Sequence, residues 1–97
     1  MIMATPVFNE EIHAPVRLKI CGLLASSPSL DFATIRDTLS LADSVVSKHV
    51  SRLESAGYVT TEKVLTASRT RTFISLTEQG RAAFASHVAA LQDIVGL

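Results

Sequence analysis

The stretch SLADSVVSKHVSRLESAGYV, residues 40–59, carries two patterns at once. Val46, Val50 and Leu53 recur at i, i+4 and i+7, the spacing of a helix face that packs. Between them stand Asp43, Ser44, Ser47, Lys48, Ser51 and Arg52, short hydroxyls with cations one helical turn apart. Gly57 follows where a left-handed residue ends a helix. The spacing predicts a helix over about 43–55, with one face packed and the other turned outward.

Upstream, DFATIRDTL (31–39) opens on Asp31, a good helix cap, and places Phe32, Ile35 and Leu39 on one face. Ser40 and Leu41 leave room for only a tight turn. Two short helices joined this way make a helix-turn-helix. Before them, Pro15 suits the first turn of a helix over 15–25, whose face is built from Val16, Leu18, Ile20, Cys21, Leu23 and Leu24 and which SSPS (26–29) ends. Residues 1–8 read as an arm, and Asn9 caps a short turn through Glu10, Glu11 and Ile12.

Downstream the period changes to two. YVTTEKVL (58–65) and RTRTFISL (69–76) are rich in Thr, Val, Ile and Phe, and Thr66, Ala67 and Ser68 separate them, which predicts a hairpin. Thr77 caps a final helix reaching about Val95. The expected fold is mainly α with a small β-hairpin wing: a winged helix-turn-helix over 13–77, an N-terminal arm over 1–12 and a C-terminal dimerisation helix over 78–97.

Ninety-seven residues fit one domain. With 47% apolar residues there is enough for one core and some surplus to bury against a partner. No run is long enough to cross a bilayer, and a single Cys rules out an internal disulfide framework, which suits the cytoplasm. The net charge is zero, but it is unevenly spread. Residues 1–43 hold three basic and five acidic side chains, 44–71 five and two, 72–97 one and two. A basic middle between acidic ends can steer an anion.

With these elements in order, the chain resembles the winged-helix transcriptional regulators of the MarR and ArsR type, in their minimal one-domain form. The resemblance runs from about Ile12 to Leu91 and rests on IHAPVRLKICGLL, DFATIRDTLSLADSVVSKHVSRLESAGYV and RTRTFISLTEQGRAAF, above all on SKHVSRLESAGYV followed by LTEQGRAAF. It implies a dimeric DNA-binding regulator, more often a repressor, and it carries the recognition role onto Ser44, Val45, Ser47, Lys48 and Arg52. One departure stands out. The family usually has Ser or Thr where this chain has Ala42, and the missing side-chain cap costs about 1 kcal/mol.

The chemistry of these positions suits DNA. A helix fits the major groove. Serines let the backbone approach and donate to phosphates, Val45 can meet a thymine methyl, Lys48 can bond guanine or phosphate, and Arg52 suits a phosphate. On the hairpin, Lys63, Arg69 and Arg71 are the candidate wing contacts to the backbone or minor groove. The competing reading is a solvated helix face and a polar hairpin. For His49 the choice lies between a packed imidazole with one hydrogen bond and a phosphate contact.

The last helix carries two apolar stripes, Phe84, Val88, Leu91 and Val95 in one, Ala83, His87, Ala90 and Ile94 in the other. One stripe can cover the domain, so the other needs a partner. The arm (Ile2, Met3, Val7, Phe8, Ile12) adds more apolar surface. A homodimer is therefore expected, with Phe8, Ile12, Ala83, His87, Ala90, Leu91 and Ile94 at its interface, reading an inverted repeat.

No phosphate loop, paired-His zinc motif or nucleophile elbow is present. No residue set supports enzymatic chemistry, and no cofactor is implied. Cys21 reads as a buried thiol, with an oxidation sensor as its rival; His13, His49 and His87 are scattered, and a metal site across an interface with Asp93 is the remaining alternative. The partners expected are double-stranded DNA and a second copy, with no membrane; a small-molecule effector is not readable from the residues and enters only through the resemblance. The alternative function is a winged-helix protein-interaction module that does not bind DNA.

Overall fold

The structure is a computed structural model that describes residues 5–96. The expectations placed on Ile2 and Met3 lie outside the described residues. The chain runs through α1 (Glu10–His13), α2 (Pro15–Ala25), β1 (Leu30–Asp31), α3 (Phe32–Leu39), α4 (Asp43–Ser55), β2 (Val59–Leu65), β3 (Thr70–Leu76) and α5 (Glu78–Val95). Among these, no helix is long and apolar enough to cross a membrane.

Local chemistry sets the boundaries. Asn9, Asp31 and Thr77 each accept a backbone N–H as the side-chain caps of α1, α3 and α5. Ala14 precedes Pro15, which disfavours helical backbone, and it stands extended between α1 and α2 (φ −53°, ψ 131°). The end of α4 is a Schellman turn. Gly57 (φ +83°) donates to Glu54 and Tyr58 donates to Leu53, each at 3.0 Å. Ser40 makes the corresponding left-handed turn after α3 at φ +54°.

The sheet has the order β1-β3-β2 and is antiparallel throughout. β2 and β3 form the hairpin foreseen, in register from Val59↔Leu76 to Leu65↔Thr70. β1 was not foreseen. It pairs Leu30 with Ile74 and Asp31 with Phe73, and two residues are too few to show a period.

The core gathers the inward faces of all these elements. Ile20, Cys21 and Leu24 of α2 meet Ile35 of α3, Val46, Val50 and Leu53 of α4, and Val59, Ile74 and Leu76 of the sheet. Ile12 joins them with no exposed surface. This corrects its placement at an interface: α1 packs on α2, so Ile12 is a core residue of the domain.

α5 is likewise part of the domain along most of its length. Gly80, His87 and Ala90 are buried, and Ala83 and Phe84 pack on the core. His87 is wholly buried in its own chain, which corrects its placement at an interface too. Ala90 is only 7% exposed. The last turn differs: Ile94 and Val95 are 66% and 65% exposed.

Candidate nucleic-acid interface

α4 begins at Asp43, with Ala42 at its cap and no side-chain bond to the free N–H groups. Asp43 does not replace the cap. Its carboxylate receives Arg36 Nη1 at 3.0 Å, and Arg36 also holds Asp37 at 2.9 Å. One guanidinium of α3 is thus shared between its own Asp37 and the carboxylate at the entry of α4, across the turn.

Along α4, Ser44, Ser47, Lys48 and Ser51 are exposed, and Val45 is half-buried. Val46, Val50 and Leu53 anchor the opposite face in the core, so the outward face is fixed in orientation. Lys48 takes part in no ion pair among the described residues. Arg52 is different. Its Nε and Nη2 both reach the Glu11 carboxylate of α1. The Arg52 guanidinium in turn holds the Glu11 carboxyl below its ordinary range.

His49 is half-buried beside this pair and contacts Arg17 Nη1 through Nδ1 at 3.1 Å. Guanidinium only donates, so Nδ1 accepts and the ring proton sits on Nε2. Burial first, then Arg17, Lys48 and Arg52, push the imidazole below its ordinary pKa. This is the packed, singly bonded histidine that the sequence allowed. Arg17 itself is 6% exposed and donates through Nε to the Glu11 carbonyl.

On the wing, Lys63 and Arg69 are exposed and outside every ion pair among the described residues. Arg71 is committed inward. It pairs with buried Asp31 and lies 5.1 Å from the centre of the Phe73 ring. Hydrogen bonding from Thr34 and from Arg71 lowers the Asp31 carboxyl to about 2. Arg71 therefore locks the wing strand β3 to the start of α3. An open cleft of about 180 Å³ runs between these two elements, lined by Asp31–Ala33 and Arg69–Thr72.

Residues 7–9 of the arm seat on α5. Asn9 donates its backbone N–H to His87 Nδ1 at 2.9 Å and its amide to the Tyr58 hydroxyl at 2.9 Å. His87 therefore carries its proton on Nε2 and donates to His13 Nδ1 at 3.2 Å. Phe8 lies against both rings, 4.6 and 4.7 Å between centres. Sequence reading missed Glu11, Arg17, His13 and Tyr58 as partners, because each contact spans positions far apart in the chain. Cys21 has no exposed surface, and burial raises its thiol to about 11.

α3 and α4 form a helix-turn-helix whose second helix has an exposed polar face, and β2 and β3 form a two-stranded wing. The chain matches the winged helix DNA-binding domain family over residues 16–95. It belongs to that family. An uncharacterized protein of Methanocaldococcus jannaschii is 34% identical over 76 residues, covering 78% of this chain and 83% of that protein. The structure of a transcriptional regulator homologue from Pyrococcus horikoshii superposes with a TM-score of 0.85 at 28% identity, covering 91% of this chain and 87% of that one. The YusO protein of Bacillus subtilis shares the fold at a TM-score of 0.75 and 20% identity, over 90% of this chain and 61% of that one. This winged helix DNA-binding domain thus has the architecture of transcriptional regulators, as its resemblance to the MarR and ArsR type implied.

Proposed function

We propose that this winged helix domain is a sequence-specific transcriptional regulator that works in the cytoplasm as a homodimer on an inverted-repeat operator, and that it acts as a repressor. α4 reads the major groove through Ser44, Val45, Ser47 and Lys48. Lys63 and Arg69 of the wing hold the backbone beside it. The observation that carries this reading is the selective pairing of charge. Arg36, Arg52 and Arg71 are all bound to carboxylates, while Lys48, Lys63 and Arg69 stand exposed and unpaired among the described residues. Unpaired cations displace counterions from phosphates on binding.

The end of α5 offers the surface for a second copy. Ile94 and Val95 expose most of their surface, with Leu91 and Val88 half-buried one and two turns back and Val7 of the arm 63% exposed. Burying apolar area returns about 25 cal/mol per Å². Two domains so joined bind two half-sites at a raised effective concentration, which offsets the weak charge of each.

The test is selection from a pool of random-sequence duplex DNA by the purified chain, with sequencing of what is retained. Convergence on an inverted repeat with half-sites about one helical turn apart supports the reading. A pool with no shared motif, retained or not, counts against a sequence-specific regulator and favours a protein-interaction module.

A further inference from the structure

Arg52 stands on the outward face of α4, one turn after Lys48, yet its guanidinium is turned to a carboxylate on another element. The pair is two-pronged: Arg52 Nε meets Glu11 Oε1 and Nη2 meets Glu11 Oε2 at 3.4 Å. Glu11 is not a wandering surface residue. Its carbonyl receives Arg17 Nε, its neighbour Ile12 has no exposed surface, and Asn9 caps the turn it sits on. Its side chain is 29% exposed, against 57% for that of Arg52. α1 therefore presents a fixed negative charge to the C-terminal half of the proposed reading helix.

We propose that Glu11 is a positioning residue for DNA binding: it holds the Arg52 side chain and cancels its charge, so that Arg52 is withheld from phosphates and Lys48 is the effective cation of α4. The inference rests on the reading of α4 as the DNA-facing helix. Its physical basis is counterion release. A free cation meeting a phosphate releases a condensed counterion, whereas a cation already neutralised by a rigid carboxylate does not. The arrangement lowers indiscriminate attraction to DNA while leaving the groove contacts in place.

The test measures binding of a random-sequence duplex across salt concentrations for the parent, Glu11→Gln, Arg52→Ala and the double variant, with thermal unfolding to establish that each is folded. Glu11→Gln is expected to bind more tightly at low salt and to steepen the slope of log K against log salt by ~0.9, one phosphate's worth. Arg52→Ala alone is expected to leave the slope near the parent's, and in the Glu11→Gln background to restore it. A simple packing role for Glu11 changes stability and not the slope.

An unchanged slope in folded Glu11→Gln overturns the proposal. So does a loss of ~0.9 in Arg52→Ala alone, which places Arg52 on a phosphate already. If Glu11→Gln does not fold, Arg52→Ala alone decides. Absence of any duplex binding by the parent overturns the reading of α4 and this inference with it; binding that Lys48→Ala weakens, together with no effect of Glu11→Gln, overturns this inference only.

Discussion

Gly80 of α5 lies against the backbone of Tyr58 so closely that a Cβ at position 80 would stand 2.0 Å from the Tyr58 carbonyl oxygen. The same carbonyl accepts the Thr77 N–H at 3.0 Å, and the Thr77 hydroxyl donates to the Gly57 carbonyl at 2.7 Å. The end of α4, the start of β2 and the start of α5 are thereby clasped together. In an ordinary helix Gly→Ala is stabilising by about 1 kcal/mol. Here the clash reverses the sign. Gly80→Ala is expected to lose about 2–3 kcal/mol, the scale of forced overpacking. Urea unfolding of the variant checks it, and a gain in stability would show that α5 can slide away from Tyr58 freely.

Acid is expected to weaken the fold through its histidines before its carboxylates matter. His87 accepts from the Asn9 N–H, and burial followed by the neighbouring His13 pushes its pKa down, with Glu10 opposing. His49 is pushed down as well. A group whose folded pKa lies below its unfolded value, about 6.5 for His, takes up protons on unfolding. Its contribution is fully present above pH 6.5 and is lost as pH falls toward the folded pKa. The Asp31 carboxyl, held at about 2, acts only in stronger acid. Denaturant midpoints at pH 7.5 and 5.5 should show lower stability at 5.5, with a smaller difference in His87→Gln. Equal midpoints for the parent would contradict the burial of neutral His87.

The two wing arginines should separate cleanly. Arg69 is exposed and unpaired among the described residues, so Arg69→Ala is expected to reduce the salt slope of DNA binding by ~0.9 and to leave stability nearly unchanged. Arg71 is bound to Asp31 and stacked over Phe73. Arg71→Ala leaves a buried carboxylate without its partner and is expected to lose about 1–2 kcal/mol. Its salt slope should stay at the parent's value once the protein is folded. Equal slope losses for both variants would place Arg71 on DNA as well.

For the second copy, the last turn of α5 is decisive. Ile94→Glu with Val95→Glu touches little of the chain's own core, because both side chains are mostly exposed. Sedimentation equilibrium is expected to give twice the chain mass for the parent and the single-chain mass for the double variant, with thermal unfolding of a folded monomer retained. A parent that sediments at the single-chain mass removes the homodimer.

The helices were legible because their signals are local. The boundaries read for 15–25 and 43–55 are those of α2 and α4. Val46, Val50 and Leu53 carried the period, and Gly57, Asp31 and Thr77 marked the ends. What the period could not carry was the choice between partners far apart in sequence. Glu11 and Arg52 are separated by 41 positions, Asp31 and Arg71 by 40, Asn9 and His87 by 78. α5 offered two apolar stripes of similar strength. Neither is wholly inward: Phe84 of one and Ala83, His87 and Ala90 of the other pack inside, and the arm supplies the Asn9 N–H that His87 accepts. The wing cations looked alike in sequence, and only the position of Asp31 on β1 divides Arg71 from Arg69.

The central claim is that the outward face of α4 meets DNA, and Lys48 tests it most directly. It is exposed, unpaired among the described residues and remote from the packed face. The measurement is the affinity of the parent and Lys48→Ala for the selected duplex at several salt concentrations, beside their thermal unfolding. Lys48→Ala is expected to show unchanged stability, weaker binding and a salt slope shallower by ~0.9. Binding by Lys48→Ala with the parent's affinity and slope would contradict it and leave that face to solvent.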